Sequence, residues 1–583
     1  MGSMRGLPRL ATTRRAVAGA ARSPLAWLLG GALVLHLVGI GWGLPASDGW
    51  DNDGVAPRDF LAGLVETVSP GRFYTYPPVH LVLLALLTAP ITVAALAHAP
   101  SLDPADVVQE ILQPAYMTPI AYFARFATVA MSLGIVWAVA KVAEELRGPR
   151  AGWCAAAFVA LGAPFTYYSH TTNLDVPYLF WGCLALLSLV RAVARHEPKR
   201  LRTWALFAAL AVGTKDQAYA LFLLSAPAGL GLWLALDPRA RGALRLVLRE
   251  AFLAVGIGLG LLVLVDGALY NPGGLRARLE FLVGPASQAY AQYTNDASGR
   301  WHVVRDLAST FDLQYPWAFA VLVVLGLVLL ARDTAHDRTR LVAGLLPLLV
   351  MVSFTLSFNC VARRTDQRFA LPQAVLAAIY GGIGVEALVF RSRPAAARWL
   401  ARLLVAAAFA VALFMAADVD ANLLLDPRYD AEAWLREHVR AKDTVETYGL
   451  NVYMPRFPES THVIRVSPDP ADHRNPMPGV EEILAPFGDA AARRARFIVV
   501  SDGWAWRYLY DPDEQQVEGH QVPPTQRETE SDAASTAYFR ALSDGQYAPY
   551  RLAYEAAWKS RLWPAYEIHG STARDIRIYE RSE

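Results

Sequence analysis

The sequence predicts an all-α polytopic membrane domain followed by a small extracytoplasmic α/β domain. Of its 583 residues, 54% are hydrophobic and 18% are charged, whereas about 25% of a soluble globular protein is charged. Apolar stretches of near span length recur as far as residue 417, and none follows. The remaining tail is rich in Asp, Glu, Arg and Pro, as expected of a soluble domain.

Twelve apolar runs are long enough, or nearly long enough, to cross a bilayer as helices, which takes about 20 residues. The run at 203–214 is short, and Pro90 interrupts the run at 78–98. The runs are 25–44, 78–98, 119–140, 151–168, 175–190, 203–214, 217–236, 246–269, 316–331, 341–358, 370–390 and 399–417.

Clusters of Lys and Arg fix the sides of the membrane, because such clusters lie on the cytoplasmic side. They occur at 5–22, 141–150, 191–202, 239–249, 332–340 and 391–402. All six lie inside only if two crossings separate each neighbouring pair, yet three runs lie between the first two clusters. We therefore expect 78–98 to be a re-entrant or interfacial helix on the outer face, bent at Pro90. If it crosses instead, the charge rule fails for every later loop.

This reading leaves about eleven spans in a bacterial-type cytoplasmic membrane, with the N-terminus inside and the C-terminus outside. The predicted domains are a basic cytoplasmic N-terminus (1–24), a membrane domain (25–419) and an extracytoplasmic domain (420–583). In the tail, "AEAWLREHV" (431–439) has the pattern of an amphipathic helix, "ARFIVVSD" (495–502) ends in a short strand, and 506–536 is predicted to be a polar loop. The net charge of +2 gives no case for a nucleic-acid partner.

Several outer loops carry ionisable groups, and at this depth such groups mark a function or a charged partner. Three arginines of one loop lie outside against the positive-inside trend, and Lys215 is the lone cation of another loop. Arg binds phosphate oxygens through a planar fork of donors, so we expect Lys215, Arg364 and Arg368 to bind a lipid-borne phosphate. Alternatively, the arginines pair with Asp366 and lipid headgroups, and Asp216 pairs with Lys215. The three arginines are Arg363, Arg364 and Arg368.

Asp51 and Asp53 follow the first span, in "GWDNDGVAP" (49–57). A carboxylate there serves either as a general base for an acceptor hydroxyl or as a ligand for a divalent metal. An Asp-X-Asp pair alone is common in loops. Its place beside a re-entrant helix and a phosphate-suited arginine cluster favours a functional site.

Together these motifs resemble the C-type (GT-C fold) glycosyltransferase superfamily. An acidic pair follows the first span, "YPPVH" (76–80) opens an outer-face helix, "NLDVPY" (173–178) ends the second outer loop, and "RFALP" (368–372) opens a late span. The most similar group is the family 39-like polyprenyl-phosphate-sugar transferases, which include protein O-mannosyltransferases and lipid A aminoarabinose transferases. The resemblance covers roughly 20–390 and extends weakly to "RYDAEAWL" and "DIRIYER" in the tail.

The resemblance implies transfer of a sugar from a polyprenyl-phosphate donor to an acceptor outside the cytoplasm, with an acid of the first outer loop as catalytic base. That position usually reads Asp-Glu in the family. Its nearest match here is Asp53-Gly54, so Asp53 is the first candidate and Asp51 the second. Asp175 matches the acid of the second outer loop, which supports the site by ligating a metal or by orienting first-loop residues. Alternatively, Asp175 is a helix N-cap.

The remaining candidates are supporting ones. His80 is expected either to contact acceptor or phosphate, or to cap or pack. A divalent metal is compatible with the sequence but is not required by it. The secondary candidates are Asn173, His170 and Asp216. The expected ligands of a divalent metal at this site are Asp51, Asp53 and Asp175.

The expected reaction is a single displacement that inverts the anomeric centre. The acceptor is left open between a protein, a lipid A-like glycolipid and a cell-wall glycan. One alternative is a non-catalytic flippase or transporter of lipid-linked sugars, which should show inverted repeats and broken helices; the other is an inactive relative, since the Glu is missing. Tyr290, Tyr293 and Trp301 either line a sugar or acceptor groove or form an interfacial aromatic belt.

Overall fold

A computed structural model describes residues 23–391, 394–469, 477–509, 520–521, 533–558 and 575–582. A helical bundle precedes a domain built around one β-sheet, which confirms the predicted fold class. The basic segment 1–22 lies outside the described residues, as do 510–519 and 522–532 of the predicted polar loop.

The membrane domain consists of helices of very different lengths. Short 3-10 turns at Asp216–Ala218 and Pro285–Gln288 and a π-helical turn at Thr355–Asn359 interrupt the series. The helices are α1 (Pro24–Leu37), α2 (Asp59–Val68), α3 (Val79–His98), α4 (Pro104–Ile111), α5 (Pro114–Arg147), α6 (Pro149–Ala160), α7 (Ala163–His170), α8 (Asp175–Ala194), α9 (Arg200–Val212), α10 (Tyr219–Phe222), α11 (Ser225–Leu236), α12 (Pro238–Gly242), α13 (Leu244–Val265), α14 (Pro272–Val283), α15 (Ala297–Ser309), α16 (Phe311–Gln314), α17 (Trp317–Thr334), α18 (Arg338–Phe354), α19 (Cys360–Ala362), α20 (Leu371–Phe390) and α21 (Ala395–Leu424).

Within the described chain, nine helices or helix series are long and apolar enough to cross a membrane. They comprise eight of the eleven predicted spans together with α3, which is one helix that continues through Pro90. The other three predicted spans are built of shorter helices: α1 has 14 residues, α9 has 13, and the run 151–168 is divided between α6 and α7 before Gly162. Among the described residues, eight of the predicted spans are therefore single long helices or helix series, and three are shorter or divided.

Both ends of α3 contact the face of the bundle that carries the first outer loop. The N–H of its first residue donates to the carbonyl of Gly213 (2.8 Å), just before the loop of Lys215. At the other end, the ring of His98 lies 6.3 Å from that of Tyr116. Tyr116 is on that same face, because Thr118 one half-turn later accepts a hydrogen bond from the N–H of Ala46 in the first loop (3.1 Å). This geometry favours the expected re-entrant or interfacial helix over a crossing.

The core of the bundle surrounds α8 and α20, which are buried along nearly their whole length. Helices α17 and α20 approach each other especially closely. A Cβ at Gly326 of α17 would lie 1.8 Å from the carbonyl oxygen of Tyr380, so this crossing requires a glycine. The C-terminal domain has separate apolar clusters on the two faces of its sheet.

The C-terminal domain contains a six-stranded mixed sheet with strand order β3-β2-β1-β4-β6-β5. Strands β1, β2, β3 and β4 run parallel to one another, and β6 runs antiparallel to β4 and β5. Helix α22 covers residues 431–438 of the predicted amphipathic helix, and β4 lies within the predicted segment 495–502, so both elements are confirmed. The elements are α22 (Pro427–His438), β1 (Thr444–Thr447), β2 (His462–Ser467), β3 (Val480–Leu484), α23 (Ala490–Arg493), β4 (Phe497–Ser501), α24 (Asp502–Leu509), α25 (Ala533–Ser543), β5 (Tyr550–Ala556) and β6 (Ile576–Arg581).

Three predicted boundaries fall inside helices. Helix α21 continues to Leu424, past the expected domain boundary at 420. The predicted polar loop begins within α24 and ends within α25, so both ends of that loop are shorter than expected.

Candidate active site

Loops from four parts of the chain converge on Asp175, the fully buried first residue of α8. Its Oδ1 accepts hydrogen bonds from Lys215 Nζ (2.8 Å) and Gln217 Nε2 (3.0 Å). Its Oδ2 accepts one from Arg368 Nε (2.7 Å), and Nη1 of the same arginine donates to Asp53 Oδ2. Four predicted site residues therefore meet in one network, in which two cations contact two carboxylates.

The backbone around Asp175 explains its orientation. The N–H of Asp175 donates to Oδ1 of Asn173 (3.1 Å), so the asparagine holds the turn before α8. Pro177 occupies the first helical turn, where a missing N–H costs nothing. The residue at the N-cap position of α8 is Leu174, and Asp175 is the first helical residue. The N-cap role that the sequence left open is therefore not the one seen, and both carboxylate oxygens bind side chains of other loops.

The arginine loop before α20 is held by a turn of unusual backbone geometry. Arg363 has left-handed dihedral angles (φ 52°, ψ 47°), and its Nη1 donates to the carbonyl of Tyr293 (2.7 Å). Asp366 Oδ1 accepts the N–H groups of Arg368 (2.8 Å) and Phe369 (3.0 Å). Asp366 thus orders the turn and directs Arg368 towards Asp175.

Arg364 lines a different space, a cavity of about 630 Å³. Its guanidinium carbon lies 5.1 Å from the ring centroid of Tyr290 and 4.7 Å from that of Phe369. Its Nε is buried without a hydrogen-bond partner in the described part of the chain. At the cavity wall, Asp216 pairs with Arg278 and not with Lys215, the pairing that the sequence left open. The apolar lining includes Leu262, Leu275, Leu279, Leu282, Val283 and Phe358.

Asp51 lies behind Asp53 and is buried, whereas the Asp53 side chain is 29% exposed. Burial, and then the neighbouring charge of Asp53, raise the pKa of Asp51 to about 7. A Cβ at Gly54 would lie 2.8 Å from Asp51 Oδ2 and 2.7 Å from Thr172 Oγ1. The Asp51 carboxylate therefore fills the space that a side chain at position 54 would need.

The pKa of Lys215 is lower than that of an exposed lysine. Burial, and then the positive charge of Arg368, lower the pKa of Lys215 to about 8. The hydrogen bond to Asp175 only partly opposes these effects. The charge of the network therefore changes just above neutral pH.

Arg125 is a site neighbour that the motif analysis missed. It is buried in α5, and its Nη1 donates to the carbonyl of Ile40 at the end of the first span (2.7 Å). Its positive charge, with that of Arg368, opposes the rise in the pKa of Asp51. A lone arginine inside an apolar run is itself a signal of function, and attention to it would have identified the residue.

Two predicted supporting histidines do not contact the network. His80 is buried in α3, and neither ring nitrogen has a hydrogen-bond partner among the described residues. His170 donates through Nδ1 to the carbonyl of Thr166 (2.6 Å), its Nε2 lies 3.3 Å from Asp420 Oδ1, and its ring centroid is 6.5 Å from that of His36. His170 therefore belongs to a separate buried cluster, because α21 brings Asp420 to it.

The donor set does not favour the metal that the sequence left possible. Both oxygens of Asp175 bind Lys215, Gln217 or Arg368, and Arg368 bridges Asp175 and Asp53 where a shared cation would lie. In the described segments, no group of three His, Cys, Asp or Glu side chains is arranged to hold a metal ion. Side-chain cations supply the positive charge of this site.

A family comparison supports the resemblance indicated by the sequence motifs. Residues 121–265 match the model of the dolichyl-phosphate-mannose-protein mannosyltransferase family. The matched segment includes Asp175 and Lys215 and excludes Asp53 and Arg368. No curated protein sequence matches the chain.

Several solved structures align with the chain at low identity. ArnT from Cupriavidus metallidurans in the apo state aligns with a TM-score of 0.47 and 14% identity, over 83% of this chain and 93% of that one. The archaeal oligosaccharyltransferase AglB from Archaeoglobus fulgidus, in complex with an inhibitory peptide and a dolichol-phosphate, aligns with a TM-score of 0.45 and 12% identity, over 96% and 88%. The arabinofuranosyltransferase AftD from Mycobacteria aligns with a TM-score of 0.41 and 14% identity, over 96% and 40%. At these scores the alignments assign no role to any residue.

Proposed function

We propose that this GT-C-type membrane protein transfers a sugar from a polyprenyl-phosphate donor to a hydroxyl group of an acceptor on the outer face. The observation that carries the proposal is the buried network of Asp53, Arg368, Asp175 and Lys215 beside the Arg364 cavity. It combines, within one site, a reachable carboxylate, several cations and an apolar cavity. The sugar is a hexose or pentose, and the acceptor is a protein, a lipid or a glycan.

The Arg364 cavity suits the lipid phosphate of the donor. Its volume of about 630 Å³ lies within the range of about 300–1,000 Å³ of small-molecule sites. Its apolar lining matches a polyprenyl chain, and Arg364 brings a guanidinium with an unpaired Nε to that lining. A buried unpaired donor costs about 1–3 kcal/mol, and a phosphate oxygen would remove this cost.

Asp53 is the better placed of the two acids to act as general base. Its side chain is partly exposed, so an acceptor hydroxyl can reach it, while Asp51 is buried behind it. Ionised Asp51 adds a second negative charge to the acidic pair that receives the acceptor proton. A general base of this kind contributes about 10²–10⁴-fold to the rate.

The reaction is a single displacement. Asp53 takes the proton of the acceptor hydroxyl as the hydroxyl oxygen bonds to the anomeric carbon. The bond from that carbon to the phosphate oxygen breaks, and its electron pair leaves with the polyprenyl phosphate. Lys215, Arg364 and Arg368 stabilise the negative charge that develops on the leaving phosphate. Attack opposite the leaving group inverts the anomeric centre.

The test is release of polyprenyl phosphate by the purified full-length protein. A panel of polyprenyl-phosphate hexoses and pentoses is added together with membrane and cell-wall acceptors. We expect release from at least one donor, with a loss of at least about 10²-fold in Asp53→Asn. Asp312→Asn, which changes an exposed acid of the short helix α16, is the matched control and should keep the wild-type rate.

Two results would overturn the proposal. One is full transfer by both Asp53→Asn and Asp51→Asn. The other is movement of the donor across the bilayer without release of polyprenyl phosphate from any member of the panel, which is the behaviour of a flippase.

A further inference from the structure

A second cavity, of about 810 Å³, opens beside the Arg364 cavity. Gln288 and Val361 line both spaces, whereas Arg363 lines only the second and Arg364 only the first. The left-handed backbone at Arg363 thus sends two consecutive arginines into two different cavities. We call the second one the Arg363 groove.

The rim of the Arg363 groove carries two positive charges with neutral partners. Arg300 Nη2 donates to Asn295 Oδ1 (3.2 Å). Arg363 donates to Gln288 Oε1 (3.0 Å) and to the carbonyl of Tyr293 (2.7 Å). Within the part of the chain that the structure describes, neither arginine forms an ion pair with a carboxylate. The rim is therefore complementary to an anion.

The wall of the groove is apolar and exposed. Leu356 and Val361 are 49% and 58% exposed, and they belong to the span-length helix series Arg338–Ala362. Trp301 is 65% exposed and also lines the groove. Tryptophan at a membrane protein surface favours the headgroup level, so the cationic rim lies at headgroup depth and the apolar wall faces the hydrocarbon.

We propose that the Arg363 groove binds an anionic phospholipid of the outer leaflet. The lipid phosphate accepts charge-assisted hydrogen bonds from Arg300 and Arg363, which suit phosphate oxygens. An acyl chain follows Leu356 and Val361 into the bilayer. This site is separate from the Arg364 cavity, and the proposal does not depend on the proposed reaction.

Lipid retention tests the proposal directly. The full-length protein is purified in detergent, incubated with phosphatidylglycerol or phosphatidylcholine, and examined by native mass spectrometry. We expect phosphatidylglycerol to be retained preferentially, and Arg300→Gln to weaken its binding about fivefold, as for the loss of one arginine near an anionic headgroup. Arg300→Lys should keep most of the binding.

The matched control is Arg276→Gln, because Arg276 is an exposed arginine outside the groove. It should bind phosphatidylglycerol like the wild type, with an unchanged melting temperature. Equal binding of the two lipids by the wild-type protein, or wild-type phosphatidylglycerol binding by the Arg300→Gln/Trp301→Ala double variant, would overturn the proposal.

Discussion

The guanidinium carbon of Arg428 lies 4.1 Å from the ring centroid of Trp50, the residue immediately before Asp51. Arg456 lies over the same ring at 5.5 Å. Nearby, Asp426 Oδ2 accepts a hydrogen bond from Trp42 Nε1 (3.0 Å). The C-terminal domain thus holds the chain just before the acidic segment at two points, which is how a tail far along the chain contributes to the site.

Trp50→Ala should weaken the contact between the C-terminal domain and the first outer loop. Trp50 is buried, and the loss of such a side chain costs about 3–5 kcal/mol of stability. Because the acids that follow it are displaced, we expect kcat to fall more than the donor KM rises. Thermal unfolding and steady-state kinetics measure both effects. The exposed Trp399→Ala serves as control, and wild-type stability and kcat in Trp50→Ala would contradict the prediction.

The activity should rise with pH through about 7 because of Asp51. Its pKa is raised from 3.8 to about 7 in the folded protein, so the Asp51 carboxylate ionises there and adds a second negative charge to the acidic pair that receives the acceptor proton. The folded state also binds this proton more tightly than the unfolded state, so the contribution of Asp51 to stability falls as the pH rises from about 4 to about 7. Rate and melting temperature against pH measure the two effects. In Asp51→Asn, both the rise of the rate and the fall of the melting temperature between about pH 4 and about pH 7 that come from Asp51 should disappear. Profiles identical to the wild type would refute the assignment of these effects to Asp51.

Lys215 should set the alkaline limit of donor binding. Its pKa is lowered to about 8, so it loses its charge as the pH rises through 8, and the donor phosphate then loses one of its cations. Lys215→Arg keeps the charge, because arginine stays protonated. We expect the donor KM of the wild type to rise above pH 8 and that of Lys215→Arg to stay level. The same rise in both proteins would argue against a phosphate role for Lys215.

Arg364→Gln should weaken donor binding with little effect on the acceptor KM. A hydrogen bond to a charged group contributes about 1.5–3 kcal/mol, which corresponds to roughly a 10- to 100-fold rise in the donor KM. Arg364→Lys should restore donor binding only in part, since lysine lacks the planar fork of donors. Arg305→Gln, a half-exposed arginine outside the Arg364 cavity, is the control. An unchanged donor KM in Arg364→Gln would place the phosphate elsewhere.

Asp51 and a side chain at position 54 would occupy the same space. We therefore predict that a carboxylate at position 54 can replace that of Asp51. A Cβ at position 54 would contact Asp51 Oδ2 at 2.8 Å, so Gly54→Ala alone should lower transfer by displacing Asp51. In Asp51→Gly/Gly54→Glu the new side chain occupies the vacated space. Its transfer rate should exceed that of Asp51→Gly alone. If the double variant is no better than the single one, the carboxylate at position 51 has a role that position 54 does not supply.

Sequence reasoning identified four residues of the network from the sides of the membrane together with the family resemblance, which pointed to Asp175, but it did not identify Gln217. Once Asp53, Asp175, Lys215 and Arg368 were placed on one face, their proximity followed. The separation of Arg363 from Arg364 was not predictable, since it depends on a positive φ at a residue that is not glycine.

Long-range packing explains the other differences. His170 joins Asp420 because α21 passes beside α7, and no local pattern encodes that contact. The division of the run 151–168 before Gly162 could likewise not be predicted from the sequence, since the run is apolar on both sides of the break.

Helix α5 has 34 residues, and Arg125 lies about 33 Å along its axis from Arg147, at about 1.5 Å per residue. The hydrocarbon core of a bilayer is about 30 Å thick. With Arg147 at one boundary of the hydrocarbon core, Arg125 and the neighbouring Asp51 lie at the opposite boundary. Under the proposed function, the lipid-anchored donor and an acceptor outside the membrane both reach this level, so neither has to cross the hydrocarbon core before the two react.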